Sequence, residues 1–170
     1  MLPVVLEPQN LCVGVAGSGE GMRRRLNLLN EAGVNPSAVA SAETAPDMDL
    51  RGLNLLFVAG LGEADSSSLA ARARESGVLV NVEDRPSLCD FHMPAQVRRG
   101  NLLLTVSTGG RAPGLSRALR EELELLFGPE WDARLEEIAQ LRDRWRNEGA
   151  APAEVSERMR AHLEGRGWLA

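Results

Sequence analysis

The chain has 170 residues and a mass of 18.4 kDa, room for one α/β core and a helical appendage rather than two large domains. With 44% hydrophobic residues, 25% charged residues and a net charge of −5, it has the composition of a globular protein and no basic excess with which to bind nucleic acid. All 19 basic residues are arginine, so no lysine is available as a Schiff base or a general base, whereas guanidinium groups suit carboxylate recognition.

In chain order, the apolar run 11–16 reads as a buried strand that meets a glycine cluster. Met22, Leu26, Leu29 and Ala32 recur at helical spacing over 21–32, and Gly33 makes a stop. A weak strand follows at 37–41, then a polar loop at 43–51, then a strong strand at 53–59. Residues 66–76 suit a helix capped by Ser66, and 78–82 form the next strand. This alternation predicts an α/β fold, a Rossmann-like parallel sheet with helices on its faces. A further strand is expected at 102–106 and a turn-rich loop at 107–114. Three amphipathic helices complete the chain, on the stripes Leu115–Phe127, Trp131–Trp145 and Val155–Leu163, the last opened by Pro152.

No stretch approaches the roughly 18 apolar residues of a membrane span. The first residues lack the basic and apolar regions of a signal peptide, and Cys12 and Cys89 lack the spacing of a disulfide framework or zinc site. A cytoplasmic protein without membrane or nucleic-acid partners is the expectation.

Two places carry chemistry. Gly17, Ser18, Gly19 and Glu20 follow a strand and open a helix, the context in which a glycine fingerprint cradles a dinucleotide pyrophosphate. Glu43 or Ser41 stands where an acidic partner for the ribose is expected, and Met22 occupies the third glycine position, where a long side chain should push the helix off the strand. Further on, Glu83 and Asp84 end a strand, where ligands of open parallel sheets bind. Ser107, Thr108, Gly109 and Gly110 open a helix as a candidate anion nest, with Arg98, Arg99, Arg111 and Arg117 nearby in sequence.

The run VNVEDRPSLCDFHMPAQVRRGNLLLTVSTGGRAPGLSRALREELE, residues 80–124, resembles the pattern VNVVDDPxLCDFxxPAxxRRGxLxxAxSTGGxSPxLxRxLRxxxE of the precorrin-2 dehydrogenase / sirohydrochlorin ferrochelatase family, the sirohaem synthase amino-terminal family. A weaker match extends over the glycine-loop half and the helical tail. The resemblance implies a homodimer with an NAD-binding Rossmann domain (1–86), a central dimerisation region (87–113) and a helical carboxyl-terminal region (114–170). It implies NAD-dependent oxidation of precorrin-2 to sirohydrochlorin in sirohaem biosynthesis and, in bifunctional members, insertion of Fe2+ as a substrate. Asp84 matches the family's aspartate for both steps. Ser107 to Gly110 match its tetrapyrrole-binding segment, with Arg98, Arg111 and Arg117 as partners for the substrate carboxylates. Gly17, Ser18, Gly19, Glu20 and Glu43 would hold NAD.

Three features depart from the family, all on the NAD side: the short 43–52 segment, Ala59-Gly60-Leu61-Gly62-Glu63 in place of A-A-T-[DN]-D, and Met22. A relative that has lost NAD and acts as a chelatase or tetrapyrrole-binding protein is therefore the alternative. His92 stands where the family has an aliphatic residue, and with Asp84 it is a possible metal contact. Cys89 reads as a small core residue, His162 as solvent-facing, and Trp131 and Trp145 as core or dimer packing. The arginines and glutamates of 117–124 read as a solvated helix face.

Overall fold

The computed structural model describes residues 1–168, and the chain divides into two compact units, Met1–Met93 and a second that begins at Pro94. The first unit is a four-stranded, all-parallel sheet of β1 (Val13–Gly17), β2 (Ala38–Ser41), β3 (Leu55–Ala59) and β4 (Leu79–Val82), in the order β2-β1-β3-β4. Helix α1 (Gly19–Glu31) makes the β1-to-β2 crossover and α2 (Glu63–Glu75) the β3-to-β4 crossover. Strand order reverses between β1 and β3, so the carboxyl ends of these two strands form the switch point of an open α/β sheet.

Each face has its own core. Leu69, Ala70 and Ala73 of α2 pack with Ala16, Leu56, Val58, Val80 and Val82. Leu29 of α1 packs with Val13, Val15, Leu55 and Phe57, and Met22, Leu26 and Phe91 close over them. Strands β1 and β3 are buried along their whole length, as parallel strands covered on both faces must be.

Several expectations need correction. The 43–51 segment is not simply polar loop. A short 3-10 turn, Ala45–Asp47, brings Ala45, Met48 and Leu50 into the α2-side core, and the Arg72 guanidinium of α2 donates to the carbonyls of Pro46 and Met48 (2.8 Å for the latter). Helix α2 starts three residues earlier than expected, at Glu63, so Ser66 is a buried interior residue rather than its cap. Residues 102–106 do form a strand, but it lies outside the parallel sheet. It pairs antiparallel with an unforeseen strand, giving the hairpin β5 (Ala95–Arg99) and β6 (Leu102–Val106). The two-residue turn Gly100-Asn101 between them is a hairpin signal that periodicity alone does not reveal.

The outer edge of β4 is closed by the run after it. The Val80 amide donates to Asp90 Oδ2 (3.0 Å), the Asp90 amide to the Val80 carbonyl (2.8 Å), and Arg74 to Asp90 Oδ1 (2.8 Å). The Cys89 sulfur accepts from the Val82 amide and donates to the Val82 carbonyl, both at 3.2 Å, while Asn81 Nδ2 donates to the Phe91 carbonyl at 2.9 Å. These side chains serve as a substitute edge strand.

In the second unit the β5–β6 hairpin packs with α3 (Pro113–Leu126), followed by α4 (Trp131–Asn147) and α5 (Pro152–Gly165). Pro152 sits in the first turn of α5, as its fixed φ favours. Arg99 is committed to structure, donating to the carbonyls of Phe127 (2.8 Å) and Glu124 (3.4 Å). Trp131 is buried against Phe127 at 5.0 Å and Trp168 at 6.4 Å. His162 is not solvent-facing: its side chain is 20% exposed, 5.5 Å from the Trp168 ring and 3.2 Å from Glu137. Trp168 draws it in, with Arg134 and Arg166 stacked on the indole. No helix among the described residues is long and apolar enough to cross a membrane.

Candidate functional site

Gly17, Ser18, Gly19 and Glu20 lie at the switch point. Gly17 has φ 149° and sits so close to β3 that a Cβ there would fall 1.7 Å from the Ala59 carbonyl oxygen. The Ser18 amide donates to that carbonyl (3.0 Å) and its hydroxyl to the Gly60 carbonyl (2.9 Å). The hydroxyl is thus spent on pinning the two loops together and does not cap α1. Among the described residues, the amides of Gly19, Glu20 and Gly21 have no acceptor, and residues 18–20 are exposed. Uncapped amides at the positive end of a 13-residue helix fit a dinucleotide pyrophosphate.

Met22 does not push α1 away. Its side chain turns into the α1-side core, and the close approach expected of the third glycine is made by Gly21, whose Cβ would lie 3.3 Å from the Cβ of Ala59. The compensating glycine is displaced by one residue from the fingerprint position.

Glu43 lies just beyond β2, two residues past Ser41, which is in register with Gly17 on β1. Ser41 Oγ donates to the Glu43 carboxylate at 2.6 Å, and this bond, with help from the backbone, holds its pKa below the ordinary 4.5. An exposed, ionised carboxylate beside the glycine turn can accept both hydroxyls of a ribose and repels a phosphate on it. The residues present therefore fit a dinucleotide.

Asp84 follows β4 at the same end of the sheet. It has φ 57°, the only positive φ of a non-glycine residue among those described. Aspartate tolerates this left-handed conformation better than most residues, yet it still carries strain of the kind that collects at functional sites. The side chain is exposed and makes no hydrogen bond or ion pair among the described residues. Its neighbour Glu83 is turned inward and bonded to Arg24 (3.2 Å). The two adjacent carboxylates are thereby divided, one structural and one free.

No group of three His, Cys, Asp or Glu side chains that could hold an ion occurs among the described residues. Cys89 and Asp90 are occupied along β4, and His92 is an exposed residue beyond them.

Arg98, Ser107, Thr108, Gly109, Gly110, Arg111 and Arg117 belong to the second unit. The Thr108 hydroxyl bonds with Ser116 (3.0 Å) and the Ala112 carbonyl (3.1 Å), and it accepts from the Ala112 amide (3.3 Å). The Gly109 amide is taken by Ser107 Oγ and the Arg111 amide by the Thr108 carbonyl. Of the donors in the expected nest, the Gly110 and Gly114 amides are left without an acceptor among the described residues. Arg117 is paired with Glu121 at 2.9 Å, which raises its pKa further, while Arg98 and Arg111 are exposed without an ion pair among the described residues.

Residues 4–95, more than half of the chain, match the family described as putative NAD(P)-binding. The chain belongs to that family. The siroheme synthase of Methylococcus capsulatus (strain ATCC 33009 / NCIMB 11132 / Bath) is 32% identical over 163 residues, 85% of this chain and 34% of that protein. The siroheme synthase of Ectopseudomonas mendocina (strain ymp) is 33% identical over 139 residues, 72% of this chain and 30% of that protein. The chain thus spans about a third of the length of these curated relatives. Among solved structures, "SirC, precorrin-2 dehydrogenase" superposes over 100% of this chain and 93% of its own with a TM-score of 0.75, at 19% identity, a likeness of fold.

Proposed function

We propose that this member of the NAD(P)-binding family catalyses the NAD-dependent oxidation of precorrin-2 to sirohydrochlorin. The observation that carries the reading is the pairing, at one end of one sheet, of an uncapped glycine turn with a free, conformationally strained carboxylate. The names of the relatives, siroheme synthase and precorrin-2 dehydrogenase, agree with it.

NAD+ supplies the hydride acceptor. The amides of Gly19, Glu20 and Gly21 would hold its pyrophosphate, and Glu43 would hold the adenosine ribose. Oxidation removes a hydride and a proton from the macrocycle, and Asp84, exposed and unpaired, takes the proton. The Arg98 and Arg111 guanidiniums, which carry no ion pair among the described residues, would pair with the substrate's rim carboxylates, Arg117 would join them on leaving Glu121, and Ser107 to Gly110 would contact the substrate as well. Insertion of ferrous iron as a substrate releases pyrrole protons, and the same aspartate can accept them, so chelation is a second reaction that this site could perform. A homodimer in the cytoplasm is the assembly that we assign to it.

Asp84→Ala should leave NAD+ binding within about twofold of wild type, because no part of the dinucleotide cradle is touched, while NADH formation from precorrin-2 falls by about a hundredfold or more. Undiminished turnover in that variant would remove Asp84 from the mechanism.

A further inference from the structure

We propose that Glu83 is a positioning residue for the cofactor turn: its carboxylate fills the space beneath Gly21 and, through Arg24, ties α1 to the end of β4. The inference rests on the dinucleotide reading above and adds a residue that the glycine fingerprint does not contain.

The geometry is specific. An ideal Cβ built on Gly21 would lie 2.0 Å from Glu83 Oε2, far inside any real contact, so Glu83 occupies the volume that a side chain at position 21 would take. Alternation along β4 sends Val80 and Val82 to the α2-side core, and Asn81 and Glu83 to the opposite face, beside α1. The Glu83 side chain is 16% exposed, and its other oxygen accepts from Arg24, one turn further along α1. A buried carboxylate without that partner would be costly, and its charge would compete with the cofactor's phosphates for the positive end of the helix. Paired with Arg24, it leaves the amides of Gly19, Glu20 and Gly21 facing an incoming anion while fixing where they point. Glu83 thus acts through the turn and not on the substrate, which separates it from Asp84, one residue away.

The test is NAD+ binding by calorimetry on the full chain, where the site count reports the folded fraction and Kd reports the site. Gly21→Ala displaces the Glu83 carboxylate tip from this space, and Kd should rise about tenfold if that placement sets the turn, a coupling in the middle of the range for touching residues. Glu83→Ala, which empties the space and frees Arg24, should raise Kd about threefold, and the double variant should return to within about twofold of Glu83→Ala. Glu83→Gln keeps the volume and an acceptor for Arg24, and should stay within about twofold of wild type. At saturating NAD+, kcat should be unchanged in the Glu83 variants.

Multiplicative effects in the double variant would overturn the inference, since they would show that residues 21 and 83 act independently. If Gly21→Ala does not fold, the two Glu83 variants decide: equal Kd for Glu83→Ala and wild type, or equal loss in Glu83→Gln and Glu83→Ala, overturns it. No saturable binding by the wild-type chain would overturn the dinucleotide reading and the inference together, a result distinguishable from the others.

Discussion

Asp84 holds a left-handed backbone that glycine adopts without penalty. Asp84→Gly should therefore stabilise the fold by about 1 kcal/mol while eliminating precorrin-2 turnover. Urea denaturation and NADH formation, measured on one preparation, check both halves, and a stable variant that still turns over would contradict the role of the side chain. A second residue-scale expectation concerns Glu43. Its pKa is lowered first by the Ser41 hydroxyl, so the carboxylate proposed to accept the ribose is charged above pH 4.5 and is lost only as pH falls through the lowered value. Ser41→Ala removes the largest cause, and the acid limb of NAD+ affinity should move upward toward 4.5. An acid limb that stays where it was would exclude Glu43 as the acceptor. The position of Asp84 was legible in the sequence because it follows a strand whose apolar run is plain, and that of Glu43 because it lies about 20 residues beyond the glycine turn, after a weaker strand. The structural part of Glu83 was not, because a linear pattern does not show that a carboxylate folds back under a glycine 62 positions away.

At the scale of elements, the conspicuous Leu-Cys-Asp-Phe run after Asp84 turns out to be an edge clamp. Asp90 receives the Val80 amide and the Arg74 guanidinium, and returns its own amide to Val80. Removing a carboxylate that accepts charge-assisted bonds should cost about 2–3 kcal/mol, so Asp90→Ala should lower the urea midpoint and release the Val80 amide to hydrogen exchange. Unchanged protection at Val80 would contradict the clamp. The four parallel strands and their helices were readable from apolar runs and glycine stops, to within a few residues. The β5–β6 hairpin was not, because Ala95–Arg99 is short, half polar and embedded in a stretch whose family pattern drew attention to its arginines. Nor was the burial of Ala45, Met48 and Leu50, which are spaced by acidic residues and proline. Arg72 explains the burial, since it satisfies the carbonyls that such a segment would otherwise leave bare.

For the whole molecule, the acidic net charge of −5 and the exposed, unpaired Arg98 and Arg111 act at different ranges. Global charge repels a polyacidic macrocycle weakly, and salt screens it; a guanidinium pairing directly with a carboxylate dominates at contact. Arg111→Ala should weaken sirohydrochlorin binding, and more at low salt than at high salt; an affinity that does not change would remove Arg111 from the substrate site. Asp84, the glycine turn and the arginines were all visible as motifs, yet only the structure showed that Thr108 spends its hydroxyl on its own loop and that Arg99 and Arg117 are already bonded. The most direct test of the account is an absorbance assay of precorrin-2 with the full chain, with and without NAD+. The account predicts conversion to sirohydrochlorin that requires NAD+, with one NADH formed per macrocycle oxidised; a chain that binds the macrocycle but leaves its spectrum unchanged when NAD+ is added would contradict it.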